Sequence, residues 1–416
     1  MSMTMNEILR QIETGEETWK DQIETFLLEN DPETIYQTSE QVASYGFVEE
    51  ALRLLEHLSY LFPEEDQLVV DRALWMLEVG QEEGAVELLQ QIPESSDVYP
   101  QVLLALADYY QMTGLYEVAE QKLEAATRLL PDEPILQLAK AELKRETGRY
   151  LEAARLYENL WNLRDDLVHV NLALKLAETY SAGAAYEESI PYFKEALKAG
   201  EAPDVLFQYG YALFQSGMYK ESIEQLDEVL AMDPDYYSAY LLSAQGYAML
   251  EQNEQALERI QQGIEKDGFE KEYYLFAGKT ALKLQLEEQA IEYFSQAIAL
   301  DPEYIDGILN LVQLHMHREE YEEVIALAEA VQVDGAILTA LYPYLAESHN
   351  QLENYEQAYE FYQLAYTEQK EDVYFLEKYA YFLLEEGKRQ QAKTVIQQLL
   401  SLQPDSLEWS AMLDEL

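Results

Sequence analysis

Residues 103–131 read LLALADYYQMTGLYEVAEQKLEAATRLLP. Leu103, Leu106, Ala107 and Tyr110 recur at helical spacing, and so do Ala119, Leu123 and Ala126. Between the two stripes stands Gly114-Leu115-Tyr116, a turn whose glycine can take the positive φ that a sharp reversal needs. Pro131 stops the second helix. Helices joined by so short a turn run antiparallel. Where they approach most closely only small side chains fit, here Ala107 and Ala119.

The same arrangement recurs in both directions. Small residues stand at Ser39, Ala73, Ala107 and Ala141, each 34 residues after the last. The series resumes at Ala177, Gly210, Ala244, Gly278, Val312, Ala346 and Ala380. Twelve residues after each comes a second small position: Ala51, Ala85, Ala119, Ala153, Ser189, Ser222, Ala256, Ala290, Val324, Ala358 and Ala392. A fixed period of this length defines a repeat architecture of stacked helix pairs. Prolines mark the borders independently. Pro63, Pro131, Pro234, Pro302 and Pro404 are placed to end second helices. Pro32, Pro100, Pro134 and Pro203 fall in the first turn of new ones, where a missing N–H costs nothing. Pro93 is expected to shorten one second helix and Pro191 to kink another.

Tyr110, Gly114, Tyr116, Ala119 and Pro131 resemble the tetratricopeptide repeat (TPR) signature, and the register extends over residues 32–406. The chain is similar to TPR-only soluble proteins of bacterial type. That resemblance implies an all-α, right-handed superhelical solenoid of about eleven helix pairs. First helices would line a concave groove and second helices the outside. Residues 1–31 are expected to form N-terminal capping helices, with Trp19, Ile23, Phe26 and Leu27 packing on the first pair. Residues 407–416 are expected to cap the other end, through Leu407, Trp409 and Leu413. Residues 32–406 would form one continuous solenoid. Its register slips to 36 residues between Ala141 and Ala177, so an irregularity is expected at 161–170, where Arg164-Asp165-Asp166 reads as a loop and a place for a hinge. Arg72, Lys140 and Lys144 occupy positions usually apolar, which predicts looser packing there, and Val312 and Val324 predict a wider crossing.

Charge and composition narrow the function. The 416 residues carry 80 acids against 27 bases, a net charge of −53. Nucleic acid and anionic membrane surfaces need clustered Lys and Arg, and the sequence offers no such stretch. Cysteine is absent, so neither disulfides nor thiolate metal sites arise. No apolar run has the length of a membrane span, and the N-terminus lacks the pattern of a signal peptide, so a cytoplasmic location is expected. His315 and His349 stand where Tyr110, Tyr180 and Tyr247 stand in other pairs, and are read as substitutes for tyrosine rather than metal ligands. No catalytic, cofactor-binding or metal-binding residue is nominated, and the repeats leave no room for a separate catalytic domain.

Function in such an array is expected on the concave face. First-helix residues that avoid the packing stripe are acidic early in the chain: Asp108, Glu142, Glu146 and Glu178 form a candidate acidic groove, with Arg145 and Lys175 as exceptions. The middle is apolar, aromatic and mildly basic. Phe207, Tyr211, Phe214, Leu241, Gln245, Met249, Phe276, Lys279 and Lys283 form a candidate partner-binding groove. Later pairs add a mixed lining of Leu309, Asn310, Met316, Tyr344, Asn350, Tyr374, Lys378 and Tyr381. Some TPR proteins grip a partner's C-terminal carboxylate with a Lys–Asn pair four residues apart on one helix, and this chain lacks that pair. The expected role is a non-catalytic scaffold or adaptor that binds a protein segment, with a basic amphipathic segment as the natural complement to the acids. The alternative is a structural or self-assembling solenoid acting through its ends or convex face. The oligomeric state is expected to be a monomer or weak dimer.

Overall fold

The computed structural model describes residues 4–161, 163, 171–200, 202–332 and 337–416. Most of the expected loop at 161–170, and His169, lie outside the described residues. Among the described residues the regular structure is entirely helical. The chain separates into two compact units, residues 1–205 and 206–416.

In the first unit α1 (Met5–Thr14) and α2 (Ile23–Glu29) precede five helix pairs. These are α3 (Pro32–Ser44) with α4 (Val48–Leu61), α5 (Asp66–Glu78) with α6 (Glu82–Gln91), and α7 (Tyr99–Met112) with α8 (Tyr116–Leu129). They continue with α9 (Pro134–Glu146) and α10 (Tyr150–Trp161), then α11 (Leu172–Ala182) and α12 (Tyr186–Ala196). The second unit holds six pairs: α13 (Pro203–Gln215) with α14 (Tyr219–Met232), α15 (Tyr237–Met249) with α16 (Asn253–Lys266), and α17 (Lys271–Lys283) with α18 (Glu287–Leu300). Then come α19 (Ile305–His317) with α20 (Tyr321–Ala330), α21 (Tyr342–Gln351) with α22 (Tyr355–Tyr366), and α23 (Val373–Glu385) with α24 (Arg389–Leu402). A single helix, α25 (Leu407–Glu415), closes the chain.

The two small-residue series sit where the helices of each pair cross. Every member of both series is buried. In the sixth pair Ser222 donates its hydroxyl proton to the Gly210 carbonyl at 2.7 Å, tying the two series together across the crossing. Gly278 is pressed against the buried Phe294 ring so closely that an added Cβ would stand 2.4 Å from it. Val312 and Val324 are also fully buried in their crossing.

A third series runs in the same register. Seven residues after each small first-helix position, the backbone adopts a positive φ and reverses. Glycine supplies it at Gly46, Gly80, Gly114, Gly148, Gly217 and Gly387, while Ala184, Glu251, Gln285, Glu319 and Glu353 supply it elsewhere. At the reversal, Gly114 donates its N–H to the Gln111 carbonyl and Leu115 donates to Tyr110, capping two otherwise orphaned carbonyls.

The prolines fall as their spacing requires. Pro32, Pro100, Pro134 and Pro203 sit in first turns, and α6 stops at Gln91, just before Pro93. Pro191 lies inside α12, which continues past it to Ala196. Two of the three polar intrusions form ion pairs: Arg72 meets Glu56 at 3.0 Å, and Lys144 bridges Glu120 and Glu152 while Arg149 also holds Glu120. At the start of the chain Trp19, Ile23, Phe26 and Leu27 are buried with Ile35, Val42 and Leu54. At its end Trp409 is buried against Tyr381, their centroids 4.9 Å apart, and its Nε1 donates to Glu377. Leu407 departs from expectation: it is 86% exposed, because α25 turns Trp409 and not Leu407 onto the preceding pair.

Candidate functional site

In the second unit, three successive first helices open a concavity of about 420 Å³. Phe207 and Tyr211 come from α13, Tyr237, Ser238, Leu241, Leu242 and Gln245 from α15, and Glu272 and Tyr273 from α17. Asp267 and Glu270 enter from the loop that joins α16 to α17. Among the described residues, none of a second helix lines it. The residues stand on these faces because side chains one helical turn apart share a face: Phe207 with Tyr211, and Leu241 with both Tyr237 and Gln245.

The floor is anchored from beneath. Phe207 packs on Tyr236 with ring centroids 4.9 Å apart. Tyr273, almost fully buried, donates its hydroxyl to the Tyr237 carbonyl at 2.6 Å and so fixes the start of α15 against α17. Burial first, then the Glu270 and Asp267 carboxylates, hold its phenol well above the ordinary tyrosine range. Above this floor Tyr211 and Tyr237 remain 38% and 40% exposed. Large half-open tyrosines in a concavity are the side chains that anchor protein recognition, since they offer much contact area at little entropic cost.

The sequence-derived lining is partly gathered here. Phe207, Tyr211, Leu241 and Gln245 meet in the concavity. Phe214 turns to Tyr219, at 5.3 Å between centroids, and Met249 is exposed. Phe276 packs against the core around Ala244, Leu257 and Ile260. Lys279 and Lys283 are exposed but do not line the concavity, whose charged residues are Asp267, Glu270 and Glu272. The mildly basic lining read from the sequence is therefore acidic at this point. Phe214, Met249 and Lys283 fall in the last turns of their helices, beyond the residues that line the concavity. Tyr237, Tyr273 and the three acids were missed because they lie at helix starts and in an inter-pair loop, outside the stripe on which the first-helix reading rested.

Further along the same unit, Leu309, Tyr344, Tyr374 and Lys378 meet in a second recess of about 300 Å³. Lys378 pairs with Glu347 and lies 4.6 Å from the centre of the Tyr374 ring. His315 is buried and His349 half-buried. His315 Nδ1 lies 2.7 Å from Glu320, and His349 stacks on Phe361 at 5.5 Å. Burial lowers the pKa of His349. Among the described residues, no group of three or more His, Asp or Glu side chains has metal-binding geometry.

In the first unit the four acids differ in state. Glu142 pairs with Lys175, and Glu146 accepts from Gln111 and from the Tyr116 hydroxyl. Asp108 is exposed, while surrounding protein partly desolvates its carboxyl. Crowding and, second, the Glu142 charge push its pKa up to about 6. Glu178 is half-buried. Beneath them Tyr157 is buried, and burial together with Glu142 pushes its phenol up to about 12.

Tandem helix pairs, small-residue crossings in all but one of them and a concavity built by first helices define a tetratricopeptide repeat protein. The sequence comparisons narrow the class. The profile of YpiA-like tetratricopeptide repeats matches residues 111–163, and that of the YpiA-like C-terminal repeats matches 343–406. General tetratricopeptide repeat profiles match 174–237, 213–279 and 271–304. The TPR repeat-containing protein YpiA of Bacillus subtilis (strain 168) is 34% identical over 358 residues, which covers 86% of this chain and 85% of that one. The chain belongs to the YpiA-like family of tetratricopeptide repeat proteins. A DnaJ homolog subfamily C member 7 homolog of Schizosaccharomyces pombe is 23% identical over 150 residues, 32% of each chain. Among solved structures, YrrB, described as a TPR protein with an unusual peptide-binding site, superposes with a TM-score of 0.37 at 19% identity, covering 45% of this chain and 96% of its own. The C-terminal part of a TPR repeat-containing protein from Cytophaga hutchinsonii gives 0.45 at 13% identity, covering 66% and 99%.

Proposed function

We propose that this chain is a non-catalytic protein–protein interaction scaffold that takes a segment of a partner protein into the first-helix concavity of residues 206–416. The observation that carries the reading is the pair of half-exposed tyrosines, Tyr211 and Tyr237, held over an anchored aromatic floor. Such side chains expose apolar area that folding alone does not require. The net charge of −53 favours a partner with a basic segment, and a basic amphipathic helix could lay its apolar face on this floor. The charge would quicken association at low salt, and the aromatic contacts would set residence time. The same charge disfavours nucleic acid as a ligand. No helix among the described residues is long and apolar enough to cross a membrane, and the reading assigns the chain to the cytoplasm.

The test is comparative capture by wild type and by Tyr211→Ala/Tyr237→Ala, with partners identified by mass spectrometry. Each truncation is expected to cost about 2 kcal/mol of binding if both tyrosines are anchors, with the thermal midpoint unchanged. Undiminished capture would move the site to an end or to the other face. A second reading, self-association through an end, draws on the exposed Leu407 of α25. It predicts a concentration-dependent mass in light scattering that Leu407→Glu abolishes.

A further inference from the structure

The charge around the concavity is uneven in a way that specifies its occupant. Asp267, Glu270 and Glu272 line the concavity from one short stretch of chain, while Phe207 belongs to the floor and Tyr211 and Tyr237 stand half-exposed over it. Lys271, in the middle of the acidic stretch, points away: its ammonium pairs with Asp301 and lies 4.7 Å from the centre of the Tyr304 ring. Lys266 is likewise drawn to Asp235 at 3.3 Å. Among the described residues, no Lys or Arg forms an ion pair with Asp267, Glu270 or Glu272. The Asp267 carboxylate accepts the Phe269 N–H at 3.1 Å, which fixes the loop that presents Glu270. Glu272 lies in the first turn of α17.

An aromatic floor beside unpaired carboxylates suits a cation that is planar and weakly hydrated. A guanidinium stacks on aromatic faces and donates in a fork to carboxylates, while its three methylenes lie on apolar surface. An ammonium is more strongly hydrated and gives up that water less readily. We propose that this concavity recognises an arginine side chain of the partner segment, with the guanidinium toward Glu270 and Glu272 and the stem across Tyr211 and Tyr237. The proposal rests on the groove reading above and adds the chemistry of its occupant.

Titration calorimetry on the full chain tests it with the capped peptide acetyl-ALARALA-amide and with the analogue carrying citrulline, which has arginine's shape without its charge. The arginine peptide is expected to bind at least about tenfold more tightly, as the loss of charge-assisted hydrogen bonds requires. Glu270→Gln/Glu272→Gln should remove that preference and leave citrulline binding and the thermal midpoint unchanged. Equal affinity for the two peptides, or a lysine analogue as tight as the arginine peptide, would overturn the assignment. So would absence of binding at millimolar peptide. The groove reading stands or falls separately: it survives equal affinities provided Tyr211→Ala/Tyr237→Ala weakens both peptides, and it fails if that variant still captures wild-type partners.

Discussion

Gly46, Gly80, Gly114 and Gly148 take positive φ in the first four helix-pair turns, whereas Glu251, Gln285, Glu319 and Glu353 do so in four consecutive turns of the other unit. The capping bonds are the same in both sets. Gly114 and Leu115 donate to Gln111 and Tyr110, and Glu251 and Gln252 donate to Ala248 and Tyr247. An L-residue in this conformation costs about 1–2 kcal/mol relative to glycine. It persists where the surroundings over-determine the backbone. The later turns are therefore held by the packing of the helices they join, and the earlier ones also by their own residue. Within the later set the crossing of α17 and α18 is close, with Gly278 against Phe294, and Gly246 of α15 packs against Ile223 of the preceding pair.

That contrast can be broken at several points. The largest effect is expected at the crossings. Gly278→Ala would put a methyl group into the Phe294 ring, and Ala119→Leu would overpack the corresponding crossing of the first unit. Each should cost about 1–3 kcal/mol in denaturant unfolding. Because pairs support their neighbours, the loss should spread beyond the mutated one. Unchanged midpoints would mean that the crossings are not where stability is concentrated.

Next come the turns themselves. Gly114→Ala should lose about 1 kcal/mol, since its φ of 75° is strained for any side chain. The reciprocal changes, Glu251→Gly and Glu353→Gly, should each gain about 0.5 kcal/mol, the relieved strain outweighing the added freedom of the unfolded chain. A loss on both substitutions would show that the glutamates make contacts that compensate their backbone.

A charge in the first unit sharpens the comparison further. Asp108 titrates near 6 when folded against 3.8 as a free side chain, so the folded state holds more protons between those values. Stability contributed by this residue accordingly falls as pH rises through that window. Asp108→Asn should be more stable than wild type at pH 7 by about 1 kcal/mol, allowing for solvent screening. The difference should vanish below pH 3.8. A constant difference across the range would assign the effect to packing.

The crossings were legible in the sequence because sterics leave few residues that fit: Ala, Ser and Gly recur there, with Val312 and Val324 as the one exception among the pairs. The turn series was legible only where glycine marks it. In the fifth pair the eye is drawn to Gly183, yet the reversal is made by Ala184, seven residues after Ala177 as the register demands. Backbone conformation there follows from position in the repeat and not from residue identity. The concavity was half legible for a related reason. Phe207, Tyr211, Leu241 and Gln245 follow helical periodicity, whereas Asp267 and Glu270 reach it from a loop whose path no periodicity encodes.

Each substantial helix contact within a unit joins helices that are adjacent in sequence or one removed. Trp409, for example, finds its cover in Tyr381 and Glu377 of the preceding pair. A chain closed in this way needs nothing from its far end to bury what has already been made. Emerging from the ribosome at about 5–20 residues per second, each pair can dock on its predecessor long before the next is complete. The low sequence separation of these contacts also favours fast folding. For so long a chain, the period during which an unburied apolar stripe is open to other molecules is set by translation of one repeat and not of the whole protein.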